Sequence, residues 1–212
     1  MTENITVFKQ NSIRIKTGCG NIYIDPFKLD EAPEDAAFIF VTHDHYDHFS
    51  PDDIEKAAGE NTTLVVPSKM ENKAKKLMGT VSRIISVKPG AAYEAEGLKF
   101  ETVAMYNILK PFHPKRAGWC GYVLDIDGER IYIAGDIDAI KEAGAVKCDV
   151  ALIPIGGFYT MDATQAAELV NVMQPKVAIP VHYGELTGKA EDGRVFSAKV
   201  KPPVKTELKI RF

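Results

Sequence analysis

Hydrophobic and polar positions alternate along the first forty residues in the manner of β-strands. The segments "ITVF", "SIRIK" and "NIYIDPF" are short and rich in β-branched and aromatic residues, and turn-forming residues separate them. The segment "AAFIFVT", which follows them, is continuously apolar, as is typical of a strand buried on both faces. The N-terminal part of the chain is therefore predicted to form a sheet.

Three helices are predicted further along the chain. The segment "SPDDIEKAAG" begins with Ser50 as a helix cap and Pro51 at the first helical position. The segment "SKMENKAKKLM" has its apolar residues on one stripe, which indicates a second helix. The segment "MDATQAAELVNVMQP" predicts a third helix, capped by Asp162 and ending before Pro175.

Strands are predicted between and after these helices. They lie in "TTLVVP", "RIISV", "AAYEAEGLKFETVAMY", "GYVLDIDGERIYIAGD", "VALIPIG" and "KVAIPVHY", and "KVKPPVKTELKIRF" resembles a closing strand. Asp127 and Gly128 form the strongest hairpin signal in the chain. Strands come first, and an alternation of strands and helices follows without a linker. This order predicts one layered α/β domain over residues 1–212.

Composition narrows the class of protein. With 45% hydrophobic and 26% charged residues, the chain has the composition of a globular protein rather than a disordered or fibrous one. The formal net charge of -3 argues against a dedicated nucleic-acid binder, and no apolar run approaches the length of a membrane span. Three cysteines, far apart in sequence, suit reduced thiols better than disulfides, so we expect a cytoplasmic protein.

One nonapeptide, "THDHYDHFS", holds three of the five histidines and two aspartates. Burying imidazoles and carboxylates without partners is costly, so this segment is either a solvated surface loop or the site of a cation. Other predicted strands also end near possible ligands, namely Asn107, His113, Asp136 and His182. One such residue would be ordinary surface chemistry, but together they favour a metal site, and imidazole with carboxylate suits zinc, manganese or iron.

These residues resemble the metallo-β-lactamase superfamily. The shared motifs are the HxHxDH sequence from His43 to His48, Gly135-Asp136 after a hairpin strand, and His182 after a late strand. Within it, "YIDP", "YIAGDID", "PIGGFYTMD" and "PVHYGE" are similar to the ascorbate-6-phosphate lactonase-like (UlaG-like) group. The resemblance implies a four-layer αββα sandwich with a dinuclear metal site. It also implies a metal-dependent hydrolase that acts on a small ester, lactone or phosphodiester.

The resemblance also implies a role for each residue. The expected metal ligands are His43, His45, Asp47, His48, His113, Asp136 and His182. The first ion would be bound by His43, His45 and a third histidine; the second would be bound by Asp47, His48 and His182; Asp136 would bridge the two. Two divalent ions are expected, zinc first and manganese or iron as alternatives. Asp47 would accept a proton from the attacking water. Asp25 would orient a histidine ligand without binding the metal itself.

Two residues are candidates for the third ligand of the first ion. Relatives often carry a histidine in a setting that reads "MYN" here, which places Asn107 at that position. His113 is the only histidine left unassigned, so we expect it to complete the first site, with Asn107 lining the pocket nearby. Lys110, Lys115 and Arg116 flank His113 and offer positive charge to an anionic small-molecule substrate, although a solvated loop is the default interpretation.

Two alternative functions remain on the same scaffold. A redox or oxygen-chemistry protein would usually need a flavin domain or an extra carboxylate ligand, and the sequence shows no flavin-binding extension. A nuclease commonly carries an inserted nucleic-acid-binding domain, for which 212 residues leave no room. We therefore expect neither a nucleic-acid partner nor a membrane.

Overall fold

A computed structural model describes residues 2–212, and the chain divides into two compact units, the first ending at Lys88 and the second beginning at Pro89. Each unit contains one mixed β-sheet with helices. Within the described residues, no helix is both long enough and apolar enough to cross a membrane. The expectation of a single domain over residues 1–212 stays a prediction.

The first unit contains a six-stranded sheet whose strands lie in chain order. They are β1 (Ile5–Val7), β2 (Ile13–Thr17), β3 (Gly20–Ile24), β4 (Ala36–Phe40), β5 (Ala58–Pro67) and β6 (Arg83–Val87). The first three strands pair antiparallel, and β3 through β6 pair parallel. The central strand β4 buries four of its five residues, which gives the segment after it a rigid support.

Helix α1 (Pro51–Ala57) confirms its sequence signals. The Ser50 hydroxyl accepts a hydrogen bond from the Asp53 backbone N–H at 3.4 Å, and Pro51 occupies the first helical position. The buried residues Ile54 and Ala57 form the inward face of the helix. The cap and the apolar spacing therefore act together at this position.

The second predicted helix is not continuous. Two short 3-10 turns, Ser68–Met70 and Lys75–Leu77, flank the four-residue helix α2 (Glu71–Ala74). The apolar stripe is real, because Met70, Ala74 and Leu77 are all buried. No side chain caps the start of the segment, so a long α-helix would leave its first N–H groups without a capping partner. Short 3-10 turns are common in such segments.

The second unit contains a seven-stranded sheet in the order β13-β12-β11-β10-β9-β8-β7. Its strands are β7 (Ala92–Ala95), β8 (Leu98–Met105), β9 (Trp119–Ile126), β10 (Glu129–Ile133), β11 (Val150–Pro154), β12 (Val177–Val181) and β13 (Lys205–Thr206). Strands β7 to β10 pair antiparallel, and β10 to β13 pair parallel. Its helices are α3 (Lys141–Gly144), α4 (Ala163–Met173) and α5 (Asp192–Lys199).

The hairpin and the long helix of this unit confirm two sequence signals. Asp127 and Gly128 have φ angles of 54° and 78°, as a two-residue turn between β9 and β10 requires. Asp162 caps α4 through a reciprocal pair of hydrogen bonds with Gln165. The helix ends at Gln174, whose backbone is left-handed, directly before Pro175.

The C-terminal segment differs from its prediction. The closing strand is reduced to the two residues of β13, and a helix that the polar sequence did not indicate, α5, precedes it. Helix α5 is anchored by Phe196, which is fully buried. Gly193 lies so close to Tyr183 that a Cβ atom there would be 2.5 Å from the phenol oxygen. Packing against the core, rather than helix propensity, therefore sets this helix.

Candidate metal centre

The first ligand group follows strand β4 in the first unit. His43 and His48 are fully buried, and Asp47 is 8% exposed. Nε2 of His43 lies 3.1 Å from Nδ1 of His45, and the ring centroids of His43 and His48 are 3.9 Å apart. Four of the predicted ligands therefore lie in one short loop at the end of a buried strand, with three imidazole rings close together.

Asp25 is a hydrogen-bond partner of His48. Its Oδ2 atom is 2.7 Å from Nδ1 of His48, and both side chains are fully buried. The same carboxylate accepts hydrogen bonds of 2.7 Å each from the backbone N–H and the hydroxyl of Thr42 and from the amide of Asn11. A carboxylate held this firmly keeps the His48 proton on Nδ1, which makes Nε2 the nitrogen that could bind a cation.

Thr42 and Asn11 are functional partners that sequence reasoning missed. The Thr42 hydroxyl contacts Nδ1 of His43 at 3.0 Å as well as Asp25, so it links Asp25 to the ligand loop. The position of Thr42 beside the histidine motif was a usable signal. Asn11 had no signal, because only the pairing of β2 with β3 brings the turn before β2 close to Asp25.

The second ligand group lies in the second unit and contains His113, Asp136 and His182, all buried. Nε2 of His113 is 3.4 Å from Oδ2 of Asp136, and Nε2 of His182 is 3.4 Å from Oδ1. Asp136 follows β10, and His182 follows β12 directly. One carboxylate thus presents each of its oxygens to a different imidazole nitrogen, an arrangement suited to sharing cations.

Asn107 is the hydrogen-bond partner of His113. Its Oδ1 atom lies 2.8 Å from Nδ1 of His113, and its backbone N–H donates to the His113 carbonyl at 2.7 Å. An amide oxygen at Nδ1 fixes the proton there and directs Nε2 towards Asp136. The contact matches the arrangement expected if His113 binds a cation and Asn107 orients it, and the choice between the two residues stays a prediction.

The position of His182 depends on its backbone conformation and on Thr187, which the sequence did not single out. Its φ angle is 57°, in the left-handed region, and Asp25 has a φ of 44° directly after β3. Thr187 places its hydroxyl 3.3 Å from Nδ1 of His182. A Cβ atom on Gly156 would lie 2.5 Å from the His182 carbonyl, so the first glycine of "PIGGF" serves this close approach.

The lysines near His113 are engaged with carboxylates. Nζ of Lys110 lies 2.5 Å from Oδ1 of Asp138, and Nζ of Lys115 lies 2.8 Å from Oε1 of Glu142. The hydrogen bond from Lys115 lowers the pKa of Glu142 to about 2. Both positive charges therefore have an opposite charge beside them, which reduces the field they offer to an anionic substrate.

The donor set of the described residues fits a metal ion. Histidine and aspartate side chains in residues 2–212 form groups that could hold one. In His48 and His113 an oxygen atom engages Nδ1, which is how proteins orient imidazole ligands towards a metal. Imidazole and carboxylate ligands suit zinc, manganese and iron.

Comparison with known proteins defines the class. A β-lactamase superfamily domain matches residues 4–182, so the chain belongs to the β-lactamase superfamily. It is 35% identical over 179 residues to a UPF0173 metal-dependent hydrolase of Thermoplasma acidophilum, covering 78% of this chain and 77% of that protein. A UPF0173 metal-dependent hydrolase of Symbiobacterium thermophilum is 31% identical, covering 90% and 88%. The particular family within the superfamily is therefore the UPF0173 metal-dependent hydrolases.

Solved structures agree with this assignment. A protein from Parabacteroides distasonis, assigned as a metal-dependent hydrolase, has a TM-score of 0.80 at 28% identity, over 98% of this chain and 93% of that one. The metallo-β-lactamase fold protein YhfI from Bacillus subtilis has a TM-score of 0.72 at 10% identity, over 94% and 88%, which shows the fold alone. The predicted metallo-β-lactamase fold and the predicted enzyme class, a metal-dependent hydrolase, are confirmed.

Proposed function

We propose that this hydrolase uses a pair of divalent cations, zinc first, to cleave a small ester, lactone or phosphodiester. The observation that carries the proposal is the carboxylate of Asp136, whose two oxygens lie 3.4 Å from Nε2 of His113 and of His182. A carboxylate in this position suits a bridge between two cations. The lactone reading follows the likeness to the ascorbate-6-phosphate lactonase-like group.

The proposed ligands fall into two sets and a bridge. His43, His45 and His113 would hold the first cation; Asp47, His48 and His182 would hold the second; Asp136 would contribute to both. Neutral imidazoles keep a cation strongly Lewis acidic, and the carboxylates offset its charge. The orientation of His48 by Asp25 and of His113 by Asn107 supports this division.

The chemistry divides between the cations and the side chains. When bound, such cations lower the pKa of water and polarise a carbonyl or phosphoryl oxygen. Asp47 accepts the proton from the attacking water and delivers it to the leaving group. Its carboxylate is only slightly exposed and lies 3.6 Å from Nε2 of His48, so it is confined near the proposed ligands.

The proposal also covers the partner and the cellular location of the reaction. The partner is a small-molecule substrate, with no nucleic acid and no membrane involved. We place the protein in the cytoplasm because its three cysteines are free thiols, as a reducing compartment favours.

Metal analysis combined with a substrate screen tests this function. Protein purified without added metal is expected to contain zinc at close to two ions per chain. It is then screened against lactones, acyl esters and phosphodiesters. Asp136→Asn should lose both metal and activity, whereas Asp125→Asn, which changes a carboxylate on strand β9 outside the site, should keep both. Redox-active iron without hydrolysis of any substrate class would replace this proposal with oxygen chemistry, and cleavage of nucleic acid alone would replace it with a nuclease.

A further inference from the structure

The loop from Asn107 to His113 is closed at its base by the site itself. The Asn107 backbone N–H donates to the His113 carbonyl, and the two side chains are hydrogen-bonded to each other. The residues between them therefore form a short closed loop. Its tip, Ile108 and Leu109, is joined through this loop to His113, a proposed metal ligand.

The tip of this loop is apolar and exposed. Leu109 is 94% exposed and Ile108 is 60% exposed, although moving aliphatic side chains out of water lowers the free energy. The loop that follows strand β11 adds Phe158, which is 69% exposed. Contiguous exposed apolar residues usually mark a surface that binds something.

Aromatic rings join the two loops into one surface. The ring centroid of Phe112 is 5.5 Å from that of Phe158 and 4.7 Å from that of Tyr159. We call this surface the apolar rim; it consists of Ile108, Leu109, Phe112, Phe158 and Tyr159. These rings meet at angles typical of aromatic packing, so the rim is a built surface rather than a set of independent side chains.

A lysine holds the rim in place and is not available as an anion receptor. Nζ of Lys110 donates to the Thr160 carbonyl at 2.6 Å and to the carboxylate of Asp138, which ties one loop to the other. Asp138 also accepts from the Ile108 backbone N–H at 3.0 Å. The charge of Lys110 is thus neutralised within the rim's own support, and the surface above it remains apolar.

A small pocket beside the rim sets the size of the occupant. Its volume is about 300 Å³. Ile108, Leu109, Ala139 and Met161 supply apolar wall, and Lys110, Asp138 and Gln165 also line it. Pockets of this volume accept small molecules, whereas a protein partner needs a far larger area. The occupant that fits is one apolar group of a small ligand.

We propose that the apolar rim binds the apolar acyl or aryl portion of the substrate, so that the enzyme prefers neutral esters or lactones with a hydrophobic group. This inference rests on the proposed function, because it places the substrate's reacting bond beside His113. It narrows the substrate class and turns it away from small anions.

Binding of a neutral probe pair tests the rim apart from turnover. Phenylacetamide and acetamide share one amide and differ by the phenyl group, and their dissociation constants are measured by NMR titration. The double variant Leu109→Ser/Phe158→Ser should weaken phenylacetamide binding by about fivefold or more and leave acetamide unchanged. Val172→Ser, which removes an exposed apolar side chain of α4, is the matched control and should change neither.

Hydrolysis of methyl phenylacetate and methyl acetate extends the test to the reaction. The double variant should raise KM for the phenyl ester several times more than KM for methyl acetate, whereas Val172→Ser should leave both reactions and the metal content unchanged. Equal effects on both probes, or no effect on either, would overturn the rim proposal. A fall in oligomeric state with unchanged probe binding would overturn it in favour of a second copy of the chain. Failure to hydrolyse any ester while phenylacetamide binding still depends on the rim would count against the proposed function only.

Discussion

Nδ1 of His48 lies 2.7 Å from the carboxylate of Asp25, and neither side chain is exposed to solvent. Asp25 is held in turn by Thr42 and Asn11, so the orientation of His48 is determined two contacts away from its coordinating nitrogen. In the proposed metal site, metal affinity would therefore depend on a residue that does not itself bind the metal.

Asp25→Asn should lower metal affinity by about 10- to 100-fold, because an amide holds the His48 tautomer less firmly than a carboxylate does. Competition with a chelator measures the affinity. Asn11→Ala is the matched control, since it removes a hydrogen bond to the same carboxylate but leaves His48 its partner. We expect Asn11→Ala to lower the melting temperature with a much smaller change in affinity. Equal losses of affinity in the two variants would show that Asp25 acts on stability alone.

His113→Ala and Asn107→Ala should separate the ligand from its orienting partner. We expect His113→Ala to lose bound metal and activity together, because a coordinating nitrogen is removed. Asn107→Ala should still bind metal at full stoichiometry when metal is supplied, with affinity reduced by about tenfold. Metal content by elemental analysis and chelator competition distinguish the two. Loss of stoichiometry only in Asn107→Ala would mean that Asn107 is the ligand.

Asp47→Asn should reduce turnover by about 100-fold or more while the protein stays folded, because the proposed proton acceptor is lost. The rate is measured with metal supplied, on a substrate found by the screen. The neighbouring Asp44→Asn is the control: its carboxylate lies 3.4 Å from Nζ of Lys73 at the surface. A metal-loaded Asp47→Asn protein with full activity would remove Asp47 from the reaction.

The three thiols should differ in reactivity. Burial raises the pKa of Cys120 and of Cys148 to about 12 each, so both are neutral thiols at pH 8 and react slowly. Cys19 is exposed. Iodoacetamide at pH 8 should therefore label one site per native chain and three per unfolded chain, as counted by mass spectrometry. Rapid labelling of a Cys19→Ser variant would contradict this.

The Lys115–Glu142 ion pair should persist into acid. The pKa of Glu142 is lowered to about 2 by the Lys115 hydrogen bond, below its ordinary value of 4.5. A lowered folded-state pKa gives stability that is present above pH 4.5 and is lost as the pH falls through about 2. The gap in melting temperature between wild type and Glu142→Gln should be small, since surface ion pairs contribute little to stability, and should close over that range.

NMR titration of Glu142 checks the cause directly. In Lys115→Met the pKa of Glu142 should return towards its ordinary value. An unchanged pKa in that variant would contradict the assignment of the shift to Lys115.

Local signals predicted much of the fold because they act over a few residues. The Ser50 cap, the Asp127-Gly128 turn and the Asp162 capping box each satisfy backbone groups near their own position, and each occurs where the sequence indicates. Helix α5 and the broken helix around α2 were missed, because their form depends on the burial of Phe196 and on the lack of a cap before Ser68.

The candidate site divides in the same way. The histidine motif and the strand-end residues could be identified as candidates from their residue types alone. The structure places them in two compact groups. Asn11 and Thr187 support these groups through contacts that arise only from strand pairing and from the path of one loop. Residues that act through another side chain are therefore the ones that sequence alone leaves out.

Asp25 and His182 share a backbone property that restricts how this site can evolve. Each follows a strand with a positive φ angle, a conformation that aspartate, asparagine and histidine tolerate far better than β-branched residues do. Selection at these two positions therefore acts on two properties at once, the role of the side chain in the proposed metal site and the direction of the chain. Few residue types satisfy both, so drift to another metal should proceed mainly through the remaining positions of the proposed site.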